Sequence, residues 1–227
     1  MLVAVHNLYP SLSTYTAPFF QLSYYQPSTG LYIQGWDDAY FVASALVIFM
    51  AVRAIVVEWI LQPLSRKAGL KRKASVRIAE QGWQFIYYSC SWCFGMYLWS
   101  RSPYWLDFGK VWHEWPARGT SGQMKSYLLV QLAFYLALIL VINIEERRKD
   151  HYQMLSHHII TGVLITAAYI YGFYNVSNVV LCLMDVVDFM LPVRYYFQTS
   201  LPQSSLLMAN TYMHFYIDRQ NIQIHQI

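Results

Sequence analysis

Residues 126–144 read SYLLVQLAFYLALILVINI, an apolar run in which Gln131 and Asn143 are the most polar side chains. A helix rises about 1.5 Å per residue, so a helix of this length matches the roughly 30 Å hydrocarbon core of a bilayer. We therefore predict a membrane-spanning helix here, and the other segments of the chain must be interpreted around it.

The composition of the whole chain also indicates a membrane protein. Of its 227 residues, 56% are hydrophobic and 12% are charged, whereas about a quarter are charged in soluble proteins. Aromatic residues reach 18%, and such rings are enriched at membrane interfaces. The net charge of +4 comes from short basic runs between apolar segments, which excludes a nucleic acid as partner. Cys90, Cys93 and Cys182 lie in apolar segments and are interpreted as buried small residues.

Four further apolar segments are long enough to cross a membrane. We therefore predict an all-α, polytopic transmembrane bundle with five spans. Glu80 suits the first turn of the second helix, because a carboxylate is favourable at the positive end of a helix dipole. The predicted organisation is a flexible, Tyr-rich tail over 1–38, a first helix over 39–61, a four-span domain over 62–191 (spans 83–99, 126–144, 155–173 and 176–196), and a polar C-terminal tail over 192–227.

The distribution of basic residues predicts the orientation of these spans. Nine Lys and Arg lie in the connections 66–77 and 147–149, four lie in 101–125, and none lies in 1–38. Basic connections remain on the cytosolic side of a membrane. The sequence therefore predicts a lumenal N-terminal tail.

Two histidines and two aspartates fall well inside the fourth and fifth predicted spans, where charge is costly and usually functional. Asp185 and Asp188 are three residues apart, so both carboxylates lie on one helix face. His157 and His158 are adjacent, so they point about 100° apart around their helix. A histidine with a carboxylate partner can act as a general base or as a nucleophile, which suits acyl transfer. The alternative is that each histidine only bonds a helix neighbour.

Other chemistry fits the residues less well. A di-iron centre needs histidines clustered in several boxes, whereas the remaining histidines here are scattered, so no metal site is predicted. A cationic cluster lies one turn before the histidine-bearing span, where a polyanionic ligand such as the head of coenzyme A can dock. This cluster consists of Arg147, Arg148 and Lys149. His151, seven residues before His158, is expected to line an entrance to the site.

Several motifs resemble those of one family. The runs NIEERRKDHYQM at 143–154 and HHIIT at 157–161 resemble the central motif of ceramide synthases, and NVVLCLMDVVD at 178–188 resembles its second half. EQGWQFIYY at 80–88 and WHEWP at 112–116 resemble an upstream helix and loop of the same family. The motifs follow one another in the family's order, and the resemblance covers residues 37 to 191.

The resemblance implies a TLC-domain protein of the endoplasmic reticulum membrane, with a helical bundle that encloses a tunnel. Its activity would be transfer of a fatty acyl group from acyl-CoA, as co-substrate, to the amine of a sphingoid base, with no bound cofactor. By position, His157 matches the motif histidine that is a candidate acyl acceptor, His158 matches its partner, and Asp185 and Asp188 match the motif acids. Expected partners are both substrates, membrane lipids and, as an open alternative, a second protomer in a homodimer or heterodimer.

The C-terminal part departs from the family pattern. Ceramide synthases continue past the second acid with a linker and two more spans, whereas Pro192 here is expected to open a polar tail. The expected chain thus has five of seven spans, is C-terminally truncated and is inactive by itself. A non-catalytic TLC-domain protein, either lipid-sensing or an inactive partner, is the alternative, although such a relative is not expected to carry the histidine pair and paired acids.

Overall fold

The computed structural model describes residues 16–112, 115–145 and 151–200, which form five long helices and a small hairpin. Strands β1 (Tyr25–Gln26) and β2 (Leu31–Tyr32) of the hairpin pair antiparallel. The helices are α1 (Asp38–Lys67), α2 (Arg72–Ser100), α3 (Gly122–Ile144), α4 (His151–Ile170) and α5 (Tyr174–Ser200). The all-helical prediction is confirmed at this level, apart from the hairpin.

Helix α1 is apolar and largely unburied. It is α-helical over Asp38–Ile55, π-helical over Val56–Leu61 and α-helical again over Gln62–Lys67. Val47 is 63% exposed and Trp59 is 77% exposed, so large apolar side chains face away from the bundle. In the part of the chain that the structure describes, α1 and α3 are the two helices long and apolar enough to cross a membrane.

Two helices begin earlier than the sequence indicates. Helix α2 starts at Arg72 and not near Glu80, because Ser75 is buried and its hydroxyl lies 2.5 Å from that of Ser65 at the end of α1. Part of the predicted basic loop is therefore helical. Helix α3 starts at Gly122 because the Ser121 side chain accepts a hydrogen bond from the Met124 amide and caps the first turn.

The C-terminal helix also differs from the expectation. A tight turn joins α4 to α5, in which Gly172 has a left-handed backbone (φ 73°) and the Phe173 amide donates to Ala168 O at 2.9 Å. Helix α5 then continues through Pro192 to Ser200, so Pro192 does not open an irregular tail. A proline removes one helical hydrogen bond, and a helix packed against neighbours can continue past it.

Residues 16–36, before α1, pack in a defined conformation, contrary to the flexible tail predicted from the composition. Lys125 on α3 is fully buried and forms an ion pair with Asp38 at 2.8 Å. Its ammonium group also donates to Ser23 O at 2.9 Å and to Ile33 O at 2.8 Å. The three donors of one lysine thus hold residues 16–36 against the bundle, while residues 1–15 lie outside the described residues.

Helix α3 lies at the centre of the bundle, packed between α1 and α4, while α2 packs along α5. Leu128, Phe134 and Tyr135 on α3 are essentially inaccessible. Cys182 is buried as expected, but Cys90 and Cys93 are exposed. Ile86, Cys90, Cys93 and Tyr97 are spaced three or four residues apart, so they lie on one face of α2. Ile86 and Tyr97 are exposed too, so this is the outer face of the helix.

Candidate active site

The acids of α5 lie in the interior of the bundle. Asp185 is fully buried, and its Oδ2 accepts hydrogen bonds from Ser91 Oγ on α2 at 2.7 Å and from Gln131 Nε2 on α3 at 3.0 Å. Asp185 Oδ1 has no hydrogen-bond partner among the residues described. One turn along, the partly buried Asp188 accepts a long hydrogen bond of 3.4 Å from Tyr135 Oη.

The histidines of α4 point in different directions, as their adjacency predicts. His158 is 2% exposed, and neither ring nitrogen has a hydrogen-bond partner in the described part of the chain. His157 is partly exposed, and the two rings lie 5.4 Å apart. The ring of Tyr135 lies 5.8 Å from that of His158, and its hydroxyl donates to Asp188 at 3.4 Å. The structure thus brings the predicted histidines and acids into one polar centre.

Tyr135 connects the two helices that carry the ionisable groups. Its hydroxyl reaches Asp188 on α5, and its ring packs near His158 on α4. Gln131 precedes it by one turn, and Tyr127 precedes Gln131 by another, so one face of α3 carries three polar side chains. These residues were not predicted as part of the site, although polar side chains at this spacing in an apolar helix are a signal that could have identified them.

Ser91 was missed for a different reason. It belongs to a helical segment rich in Ser and Cys, and serine hydroxyls in helices commonly bond their own backbone. Its hydrogen bond to Asp185 joins α2 to α5. This bond can form only because the two helices pack with these residues facing each other. Only the tertiary structure therefore identifies this contact.

The predicted binding residues follow α3 in the sequence, and the last of them begins α4. Arg147, Arg148 and Lys149 lie outside the described residues. His151 is the first residue of α4, is partly exposed, and packs its ring 5.2 Å from that of Tyr152. At the end of the preceding helix, Arg53 of α1 forms an ion pair with Glu145.

The polar centre has the groups needed for acyl transfer. A buried imidazole can take a proton or attack a carbonyl carbon, and a nearby carboxylate can orient the imidazole or accept a proton. Water is largely excluded around His158 and Asp185, which strengthens electrostatic interactions. Within the described ranges, no three His, Cys, Asp or Glu side chains are grouped so that they could hold a metal ion.

Known proteins share this sequence pattern. The TLC domain, the region common to the TRAM, LAG1 and CLN8 proteins, matches residues 77–217. A sphingosine N-acyltransferase-like protein of Alternaria alternata is 47% identical over 167 residues, which cover 74% of this chain and 39% of that protein. A ceramide synthase of Gibberella moniliformis is 37% identical over 193 residues, which cover 85% of this chain and 45% of that protein.

A third relative, a sphingosine N-acyltransferase of Schizosaccharomyces pombe, is 40% identical over 185 residues, covering 81% of this chain and 47% of that protein. The chain thus spans under half the length of these curated relatives. The domain match covers more than half of the chain and includes all four predicted catalytic residues. This chain therefore belongs to the TLC-domain family, and the relatives it matches include fungal ceramide synthases.

Proposed function

We propose that this protein is an acyl-CoA-dependent ceramide synthase, which transfers a fatty acyl group to the amine of a sphingoid base. The observation that carries the proposal is the polar centre in which Tyr135 contacts both His158 of α4 and Asp188 of α5, with the ring of His157 beside that of His158. Relatives named as ceramide synthases and sphingosine N-acyltransferases support the same reaction. As a TLC-domain protein, the chain has a polytopic membrane fold, so lipid substrates can reach the helices laterally.

Two routes are compatible with this centre. In the first, a ring nitrogen of His157 attacks the thioester carbon, the C–S bond breaks, and coenzyme A leaves as a thiol with the proton that the acylated imidazole loses. The sphingoid amine then attacks the acyl-histidine, the bond between the acyl carbon and the ring nitrogen breaks, and the proton of the amine returns to the imidazole, directly or through a carboxylate. In the second, histidine takes the proton of the amine while the amine attacks the thioester directly, the C–S bond breaks, and the histidine passes the proton to the leaving coenzyme A thiolate. Both routes yield one ceramide and one free coenzyme A.

The substrate head groups have a proposed place at the cytosolic end of α4. Arg147, Arg148 and Lys149 would bind the phosphates of coenzyme A, because clustered cations attract and retain polyanions. His151 would line the path from there to His158, which lies about two turns further along the helix. No cofactor takes part in this scheme, and acyl-CoA is a co-substrate.

The proposed membrane arrangement places the protein in the endoplasmic reticulum with a lumenal N-terminal segment 1–38. The five helices would each cross the bilayer, with spans over 39–61, 83–99, 126–144, 155–173 and 176–196. The TLC-domain match over residues 77–217 includes four of these spans. The residues after the fifth span would lie on the cytosolic side.

The alternative is a non-catalytic TLC-domain protein that senses or binds lipid. The polar centre argues against it, because an unsatisfied buried polar group costs about 1–3 kcal/mol unless a ligand or reaction uses it. Three buried atoms have no hydrogen-bond partner in the described part of the chain: the two ring nitrogens of His158, and Oδ1 of Asp185. A protein without catalytic use for them would be more stable with apolar residues at these positions.

Expression in cells that lack their own ceramide synthase tests the proposal. The protein, expressed from its complete reading frame, should restore ceramide, measured by lipid mass spectrometry. A variant with His157→Ala should reach the same abundance and restore none. Ceramide that stays absent with abundant wild-type protein would favour the non-catalytic alternative.

A further inference from the structure

The hydrogen bonds to Asp185 are unevenly shared between its two oxygens. Ser91 Oγ and Gln131 Nε2 both donate to Oδ2, at 2.7 and 3.0 Å. Oδ1 is buried in the same carboxylate and has no hydrogen-bond partner among the residues that the structure describes. A purely structural acid would gain from donors at both oxygens, so the arrangement fixes one oxygen and leaves the other available.

A further contact fixes the orientation of the Gln131 amide. Tyr87 Oη donates to Gln131 Oε1 at 3.0 Å, so Nε2 faces the carboxylate. Rotating the amide by 180° would place its oxygen against the Asp185 carboxylate, where two acceptors repel each other. Gln131 is 1% exposed, so water cannot replace either bond. Tyr87 on α2, Gln131 on α3 and Asp185 on α5 thus form one chain of hydrogen bonds.

We propose that Gln131 and Ser91 are positioning residues of the acyltransferase site, which hold Asp185 so that Oδ1 stays available to the reacting groups. The inference rests on the proposed function and deepens it. Gln131 and Ser91 touch neither substrate in this scheme, since both act through the Asp185 carboxylate. An orientation fixed by two donors avoids the reorganisation that a freely rotating carboxylate would need during reaction.

The kinetic test uses the purified protein with acyl-CoA and a sphingoid base. Gln131→Leu and Ser91→Ala should each lower kcat by roughly 10- to 100-fold, because small displacements of a catalytic group have effects of that size. The KM for acyl-CoA should stay nearly constant. Ser91→Thr retains the hydroxyl and should recover most of the activity. Ser75→Ala removes a buried hydroxyl outside the site and serves as the control with wild-type kcat.

A double variant distinguishes positioning from a general loss of structure. If Gln131 acts through Asp185, then Gln131→Leu should have little further effect on kcat once Asp185→Asn is present. If its effect is structural, the two losses should multiply. Multiplied losses, or wild-type kcat in folded Gln131→Leu and Ser91→Ala proteins, would overturn the proposal.

An infrared measurement separates this proposal from the proposed function. The carboxyl band of Asp185 is identified by subtracting the spectrum of Asp185→Asn from that of the wild-type protein. Gln131→Leu should shift this band, and Ser75→Ala should not, whether or not the protein turns over substrate. If the wild-type protein does not transfer acyl groups, the proposed function is wrong. A shifted band would still show in that case that Gln131 holds the Asp185 carboxylate. An unshifted band would overturn the positioning by Gln131.

Discussion

The ionisable side chains of α4 and α5 differ in how many of their polar atoms form hydrogen bonds. Asp188 accepts a hydrogen bond from Tyr135, Asp185 is bonded at one oxygen, and His158 is bonded at neither nitrogen within the described residues. Such groups are costly to bury, so their retention together indicates a function for the unbonded atoms. In the proposed acyl transfer these atoms accept protons, while His157 accepts the acyl group.

Removing either partner of the His157 and Asp188 pair should abolish ceramide formation. In the proposed reaction His157 attacks the thioester or takes the proton of the amine, and Asp188 orients the imidazole or accepts a proton. We expect His157→Ala and Asp188→Ala to reduce kcat of the purified protein by several orders of magnitude. Ceramide formation is measured by mass spectrometry at saturating acyl-CoA.

The control for this pair is Ile160→Ala on the same helix. Ile160 is an apolar side chain that is 58% exposed, so its truncation should leave kcat unchanged. Near-normal turnover in folded His157→Ala or Asp188→Ala protein would exclude that residue from the mechanism.

The sequence identifies some of these residues better than others. His157, His158, Asp185 and Asp188 could be predicted because an ionisable side chain in an apolar helix is conspicuous. Gln131 stands out in the sequence as a polar residue in an apolar helix, but the sequence does not reveal its hydrogen-bond partners. Its bonds to Ser91 and Asp185 join three helices, and no pattern along one helix specifies which faces meet.

At the scale of helices, Gly95 allows α2 and α5 to approach closely beside the polar centre. A Cβ at this position would lie 2.6 Å from Tyr127 Oη and 2.7 Å from Cys182 Sγ. Asn178 Nδ2 of α5 donates to Gly95 O at 3.2 Å, so the helices also bond at this point. The close approach brings Ser91, one turn away, within reach of Asp185.

We predict that Gly95→Ala destabilises the protein, because overpacking of a buried contact costs about 1–3 kcal/mol. The expected result is a lower thermal midpoint in detergent together with reduced acyl transfer. Gly162→Ala is the matched control, since nothing lies within 4 Å of a Cβ at that helical glycine. There the better helix propensity of alanine should leave stability equal or raise it. Equal midpoints for both variants would contradict the close approach at Gly95.

The ion pair between Lys125 and Asp38 should stabilise the packing of α1, α3 and α4. Tyr169 of α4 also donates to Asp38, at 2.5 Å, so three helices meet at one buried carboxylate. Lys125→Met should lower the free energy of unfolding by about 3–5 kcal/mol, because it leaves a buried carboxylate without its cation. The check is the denaturant midpoint of purified protein.

The double variant Lys125→Met with Asp38→Leu tests the physical reason. With neither charge left buried, it should lose less stability than Lys125→Met alone. If the double variant loses the full sum of the single losses, the ion pair is not the cause.

This ion pair also explains why the hairpin was not predicted. A strand of two residues is too short to show an alternation of polar and apolar side chains. In the sequence, Lys125 resembles the other cations of the predicted loop. The helices themselves were predictable from their apolar runs. Their starts were not, because Ser75 packs against Ser65 and extends α2 by two turns before Glu80.

The whole molecule has two distinct ends. At one end the N-terminal segment contacts both the α2–α3 loop, through Tyr32 and Thr120, and the end of α4, where Gln34 Nε2 donates to Ile170 O at 3.3 Å. At the other end Arg53 of α1 pairs with Glu145 of α3. Successive helices of the bundle run in opposite directions, so every second connection lies at the same end. The basic connections 66–77 and 147–149 would lie at the second end.

We predict that the second end faces the cytosol. In intact vesicles of the endoplasmic reticulum, a tag at the N-terminus should resist protease, and a tag inserted at Gly69 should be cleaved. Gly69 lies in the exposed link between α1 and α2, so the insertion spares both helices. Cleavage of the N-terminal tag with protection of the tag at Gly69 would invert the orientation.

The most direct measurement of the central claim is acyl transfer in lipid nanodiscs by the purified protein, expressed from its complete reading frame. Isotope-labelled acyl-CoA and a sphingoid base are supplied, and labelled ceramide and free coenzyme A are quantified together. We predict one labelled ceramide for each coenzyme A released by the wild-type protein, and neither product with Asp188→Ala. Folded wild-type protein that binds acyl-CoA but forms no ceramide would contradict the proposal that this polar centre is an acyltransferase site.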